Sequence, residues 1–172
     1  MHNALFLDRD GVICEAMPEG EYLTSWKQFR FLDGVHELVR MAKEKGYKIV
    51  VVTNQSPVAK GFMTTETLEG IHERMNKELG GHIERTYYCP HEHNEGCVCR
   101  KPSPGMLVQA AKDFDIDLSQ SFIVGDRWKE VEAGKAAGVK TIFLKNHQNN
   151  EDLTRSLPDV VISNLREVIP LL

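Results

Sequence analysis

Three short apolar or β-branched runs each stop at one polar side chain: Ala4–Leu7 at Asp8, Lys48–Val52 at Thr53, and Ser121–Val124 at Gly125-Asp126. Segments of helical period lie between them. Gly34–Lys45 puts Val35, Leu38, Met41 and Ala42 on one face and stops at Gly46. A second segment runs from a Thr65 cap to Leu79, with Leu68, Ile71 and Met75 at helical intervals and Gly80-Gly81 closing it. Gly105–Phe114 follows Pro104, a residue suited to a first helical turn, and Glu130–Ala137 is a fourth helix. Ile83–Tyr88, Thr141–Leu144 and Val160–Ile162 read as further strands, the last leading into a short C-terminal helix. Strands and helices that alternate in this way predict a doubly wound α/β fold, a mostly parallel sheet covered on both faces. In such sheets ligands meet the chain at the carboxyl ends of the strands, which is where Asp8, Thr53 and Asp126 stand. No repeat, low-complexity tract or linker interrupts the 172 residues, so one domain over 1–172 is expected.

Charge narrows the partners. Twenty-one basic against 25 acidic side chains leave a net charge of −4, without the basic surplus of a strong nucleic-acid binder. No run of about 18 apolar residues exists to span a membrane. The start, Met-His-Asn-Ala-Leu-Phe-Leu-Asp, lacks the basic flank and long apolar stretch of a signal peptide. A cytoplasmic protein without nucleic-acid or membrane partners is expected, and nothing in the sequence requires more than a monomer.

The cysteines point to metal. Cys14 stands alone, whereas Cys89, Cys97 and Cys99 bunch together with His91 and His93. Soft ligands gathered at such short spacing fit a metal site better than a disulfide framework. Three thiolates and one imidazole would close a tetrahedral zinc site with no position left for water, so the zinc would be structural. The loop 89–99 runs directly into Arg100 and Lys101, and zinc would fix that segment.

Asp8-Arg-Asp10-Gly11 places two carboxylates two residues apart at a strand end, where their titrations couple unless a cation lies between them. Phosphoryl transfer gives such a pair a purpose. Asp8 would attack phosphorus and form an acyl-phosphate, while Asp10 would protonate the leaving alkoxide and later take a proton from water. A Mg²⁺ on Asp8, Asp10 and Asp126 and the ammonium of Lys101 would offset the negative charge. Thr53 would add a hydroxyl donor to the phosphoryl oxygens, helped by neighbouring backbone N–H groups.

Four segments then carry a resemblance: Leu5-Phe-Leu-Asp-Arg-Asp-Gly-Val12, Val50-Val-Val-Thr-Asn-Gln-Ser56, Cys99-Arg-Lys-Pro-Ser-Pro-Gly-Met106 and Val124-Gly-Asp-Arg-Trp128. In this order they resemble the four signature motifs of the haloacid dehalogenase superfamily, and within it the histidinol-phosphate and heptose-bisphosphate phosphatase branch. The resemblance spans Leu5 to about Leu144. It implies a Rossmann-like sheet, Mg²⁺, Asp8 as nucleophile, Asp10 as acid/base, Thr53 and Lys101 on the phosphoryl group and Asp126 as metal carboxylate. It also implies that Cys89, His91, Cys97 and Cys99 hold zinc, with His93 a solvated neighbour, and that Arg100 and Arg127 contact substrate. Two features depart from the family pattern: Glu130 replaces the second Asp of the fourth motif, and the loop Glu15–Tyr22 is not the commonest heptose-enzyme version.

The spacings leave no room for a cap domain, so recognition falls to the Glu15–Tyr22 loop with Tyr22, the Asn54-Gln55-Ser56 turn, the zinc loop, Arg100 and Arg127. Two extra cations suit a sugar bisphosphate, and D-glycero-D-manno-heptose 1,7-bisphosphate is favoured as the small phosphorylated substrate. The five-residue spacing inside the zinc loop resembles histidinol phosphatases instead, the chief alternative. A nucleic-acid 3′-phosphatase fits the acidic balance poorly, and a zinc-stabilised binding module would not need Asp8, Asp10, Thr53, Lys101 and Asp126 together. On an extended segment Arg100 and Lys101 would point to opposite sides, with Pro102 favouring that geometry, so Arg100 would face a second phosphate. Trp26, Phe29 and Phe31 read as packing residues, His36 and His72 as helix-surface residues, and Cys14 as an inert thiol.

Overall fold

A computed structural model describes residues 1–145 and 156–172 of the chain. Six strands form one sheet: β1 (Ala4–Leu7), β2 (Lys48–Asn54), β3 (Ile83–Cys89), β4 (Phe122–Gly125), β5 (Lys140–Leu144) and β6 (Val160–Ile162). Every pair is parallel, and the order is β3-β2-β1-β4-β5-β6. The expected doubly wound sheet is therefore present. Period-two alternation divides its two faces. Leu5, Leu7, Ile49 and Val51 pack with Leu38, Leu68 and Met75 of α1 (Val35–Glu44) and α2 (Thr65–Glu78). Ala4, Phe6, Val50 and Val52 pack with Leu107, Ala110 and Ala133 of α3 (Gly105–Phe114) and α4 (Trp128–Ala137). Burial on both faces explains why β2 reads as a continuous apolar run.

Strand order reverses direction on either side of β1, which lies between β2 and β4. The crevice opened by that reversal at the strand ends is where doubly wound sheets hold ligands. Among the described residues, no inserted cap domain separates the motif-bearing strands, and no helix is long and apolar enough to cross a membrane.

Several boundaries differ from the sequence-based expectation, each for a local reason. The cap of α2 is Thr64, not Thr65, because the Thr64 hydroxyl accepts from the Thr67 N–H at 3.2 Å. Helix α4 begins at Trp128, two residues earlier than expected, because the Glu130 carboxylate turns back to accept from the Arg127 N–H at 3.0 Å. The C-terminal helix is a 3-10 segment, Leu165–Leu171, capped by Asn164 accepting from the Arg166 N–H. Trp26, Phe29 and Phe31 stack together as expected, with ring centroids 4.5 and 5.0 Å apart along the series.

Candidate active site

The ends of β1, β2 and β4 surround a cleft of about 300 Å³ lined by Asp8, Asp10, Thr53, Lys101, Asp126 and Glu130. Tyr22, Asn54, Gln55, Ser56, Arg100 and Arg127 also line it, so these expected substrate contacts border one space, whereas no residue of the expected zinc loop 89–99 lines it. The floor is built by backbone: Asp8 N–H donates to the Val124 carbonyl at 3.1 Å, joining the strand of Asp8 to that of Asp126. Gly11 then turns at φ +89, and a Cβ there would collide with the Asp126 carboxylate. Only glycine satisfies both the dihedral and the close approach.

Lys101 organises the charge. It is 1% exposed, and its ammonium sits 2.9 Å from Asp8, 2.8 Å from Glu130 and 2.8 Å from the Val52 carbonyl. Burial opposes its charge, but Asp8 and Glu130 outweigh burial and push its pKa above the ordinary lysine value. Glu130, the departure in the fourth motif, thus spends one oxygen on Lys101 and the other on the α4 N-terminus.

Asp8, Asp126 and Glu130 bring carboxylate oxygens within 4.8 Å of one another, all buried. Three buried acids against the Lys101 ammonium and the half-exposed Arg127 guanidinium, 3.8 Å from Asp126, leave the site short of positive charge, and the pKa values record it. Burial raises Asp8 to about 6, against the opposing pull of Lys101 and with a further push from Glu130. Burial, then Glu130 and Asp8, raise Asp126 well above the ordinary carboxylate value. An all-oxygen donor set with excess negative charge fits a hard divalent cation.

Asp10, expected to share that cation, is placed differently. Its carboxylate is gripped by the Arg9 guanidinium, Nε to Oδ1 at 2.9 Å and Nη2 to Oδ2 at 2.8 Å, and accepts from Gln55 at 3.1 Å. The structure therefore groups Asp8 and Asp126 with Glu130 and leaves the Asp10 side chain outside the trio. Burial works to raise the Asp10 pKa, but the Arg9 pair overrides it and holds the carboxyl below its ordinary value.

The β2 turn also works differently from expectation. Gln55 is 1% exposed and donates to both Asp10 and the Thr53 hydroxyl, the latter at 2.7 Å. Asn54 pairs through its amide with the Lys101 backbone, accepting from its N–H and donating to its carbonyl, both at 3.0 Å. Both residues line the cleft while their amides hold other site residues in place.

The segment carrying Arg100 and Lys101 is a turn, not extended: the Ser103 N–H donates to the Arg100 carbonyl at 2.9 Å, and the Lys101–Pro102 peptide is cis. The two side chains part nonetheless. Lys101 enters the site floor, while half-buried Arg100 bonds the His91 carbonyl at 2.9 Å and borders the cleft's outer wall.

Cys89, the last residue of β3, gathers with His91, Cys97 and Cys99. Sulfur–sulfur separations are 3.2 and 3.5 Å, and His91 Nδ1 lies 3.5 and 3.4 Å from Cys89 and Cys99. Sulfur ligands of tetrahedral zinc at bonds of about 2.3 Å stand roughly 3.8 Å apart, a few tenths of an ångström wider. His93 is exposed and outside the group.

Two residues near the site carried no role in the sequence reading. Arg9 is the largest fully buried side chain, and its signal is its place between two aspartates at a strand end, where a buried cation has a carboxylate partner at hand. His72 is buried, not on the surface, with Nε2 3.3 Å from Arg9 Nη1. Cys14, expected as an inert thiol, is buried, and burial, then Asp10, push its thiol far above the ordinary value.

Comparison with known proteins adds a consistent set of relatives. A HAD-hydrolase-like family model matches residues 98–168. The D-glycero-beta-D-manno-heptose-1,7-bisphosphate 7-phosphatase of Helicobacter pylori is 41% identical over 147 residues, covering 83% of this chain and 83% of that protein. The corresponding D-glycero-alpha enzyme of Campylobacter jejuni is 36% identical over 170 residues, covering 96% and 93%. The crystal structure of the D,D-heptose 1,7-bisphosphate phosphatase of B. bronchiseptica, complexed with magnesium and phosphate, superposes with a TM-score of 0.88 at 28% identity. That match covers 98% of this chain and 97% of the other.

Proposed function

The chain belongs to the haloacid dehalogenase-like phosphatases, in the branch of the heptose-1,7-bisphosphate 7-phosphatases, and on that premise we propose that it removes the 7-phosphate of D-glycero-D-manno-heptose 1,7-bisphosphate. The observation that carries this reading is the Asp8–Lys101 pair, 2.9 Å apart on the floor of a cleft with Arg100 on its outer wall. In this reading Asp8 is the nucleophile, Lys101 the phosphoryl-binding cation, and Arg100 the cation that would meet a distal anion.

In this mechanism Asp8 attacks phosphorus, the bond to the sugar oxygen breaks, and the departing alkoxide takes a proton from Asp10. A water then attacks the aspartyl-phosphate and gives its proton back to Asp10, releasing phosphate and restoring Asp8. Arg9 holds the Asp10 carboxyl below its ordinary value in the resting protein. An arriving phosphate dianion favours uptake of one proton from solvent, and that proton goes to the alkoxide and is replaced by the one from the attacking water. Lys101 neutralises Asp8 and the phosphoryl oxygens it faces, and the Thr53 hydroxyl supports the same oxygens. Mg²⁺ held by Asp8 and Asp126 would supply further charge neutralisation at the phosphoryl group. Zinc on Cys89, His91, Cys97 and Cys99 would fix the loop that delivers Arg100 and Lys101.

A panel of both anomers of the heptose 1,7-bisphosphate, histidinol phosphate and fructose 1,6-bisphosphate tests the substrate by phosphate release. Clear preference for a heptose bisphosphate is expected, whereas preference for histidinol phosphate would replace the assignment. Arg100 sharpens the test. A charge-assisted contact contributes about 1.5–3 kcal/mol, so Arg100→Ala should cut kcat/KM on the bisphosphate about tenfold to a hundredfold while sparing p-nitrophenyl phosphate. Equal losses on both substrates would remove the distal-phosphate role.

The zinc cluster yields its own prediction. Metal analysis should find about one zinc per chain, as one tetrahedral site demands. Cys97→Ala should lower the melting temperature and turnover together, since structural zinc binding is folding free energy. A stable, fully active preparation without zinc would dismiss that role.

A further inference from the structure

We propose that His72 is a positioning residue for Asp10, acting through the buried Arg9. This rests on the acid/base role given to Asp10 above. Arg9 projects from the end of β1 towards α2 and is 1% exposed. Two of its nitrogens, Nε and Nη2, form the fork on Asp10. The third, Nη1, faces His72 Nε2 at 3.3 Å. Guanidinium has no acceptor, so the imidazole must offer a lone pair at Nε2 and carry its proton on Nδ1.

The surroundings enforce that form. His72 lies on α2, 6% exposed, with the Tyr88 ring 5.8 Å away. Burial first, and then the Arg9 charge, hold its pKa at about 3, against a smaller pull from Asp10. A planar guanidinium held at its far corner by a neutral acceptor cannot rotate, so the fork plane that aims the Asp10 carboxylate is set from α2. Gln55 and Cys14 approach the same carboxylate at 3.1 and 3.4 Å, whereas His72 meets the guanidinium itself.

The readout is the dependence on leaving group. Expulsion of a sugar alkoxide needs the Asp10 proton, whereas p-nitrophenolate leaves without one. First-turnover rates should be measured on the heptose 1,7-bisphosphate and on p-nitrophenyl phosphate. His72→Leu should slow the sugar phosphate about tenfold to a hundredfold and p-nitrophenyl phosphate less than about twofold, and His72→Gln, which restores an acceptor, should recover most of the loss. Equal losses on both substrates, or no loss on the sugar phosphate, would overturn the proposal. Asp10→Asn is the control: if it shows no leaving-group selectivity, the acid/base reading of Asp10 fails. If it does and His72→Leu does not, only the role of His72 falls. Should His72→Leu not fold, ¹⁵N NMR of the unaltered protein decides: a neutral ring protonated at Nδ1 near pH 7 is expected, and an imidazolium or an Nε2-protonated ring overturns the proposal.

Discussion

Asp8→Asn is expected to reduce kcat by about a thousandfold or more at saturating Mg²⁺ while the fold survives, because an amide is a poor nucleophile towards phosphorus. Retention of more than about a tenth of wild-type kcat, a barrier change below about 1.4 kcal/mol, would refute the nucleophile assignment. The same variant has a second signature. Burial, opposed by Lys101 and assisted by Glu130, places the Asp8 pKa at about 6 against an ordinary 3.8. The folded protein then binds this proton more tightly than the unfolded chain. Its contribution to stability is full at pH values below the unfolded pKa and is lost as pH rises through about 6. Metal-free wild-type protein should lose stability across that window, and Asp8→Asn should lack that part of the slope. Melting curves in chelator across the window check this directly.

Lys101→Met carries the other large effect. Its ammonium has three partners within 2.9 Å, two of them buried carboxylates. Removing one member of a buried ion group leaves the others uncompensated, at a cost of about 3–5 kcal/mol. Denaturant unfolding in metal-free buffer should show that loss, and kcat should fall by about a hundredfold to a thousandfold as the phosphoryl oxygens lose their cation. An unchanged unfolding midpoint would mean that Lys101 does not neutralise the acid trio.

Much of this was legible in the sequence because strand ends concentrate chemistry. The runs before Asp8, Thr53 and Asp126 need only their continuous apolar character and short length to be read as buried strands, and parallel topology brings their ends together. The Cys/His loop was legible because ligand spacing is local. Side-chain direction was harder. The spacing of Asp8 and Asp10 suggests that both carboxylates share a metal, whereas the neighbouring Arg9 grips that of Asp10. Histidine is a residue type common on helix surfaces, yet His72 lies four residues after Leu68 and three before Met75, on the buried face of α2. Glu130 illustrates what one chain cannot disclose before folding, since its partner Lys101 lies 29 residues away in a different loop. At Arg100–Lys101, Pro102 by itself suggests extended backbone, while the hydrogen bond from Ser103 closes a turn that the sequence does not announce.

Asn54 holds the backbone of Lys101 as a neighbouring strand would, and Cys89 ends β3 directly opposite Asn54 in the sheet register. The excursion from 90 to 96 is therefore clamped at both of its roots. Provided His91 keeps its place among the three cysteines, the rest of that excursion can drift in length and sequence without shifting the lysine, so loop grafts from relatives should retune substrate choice while the reacting groups keep their register.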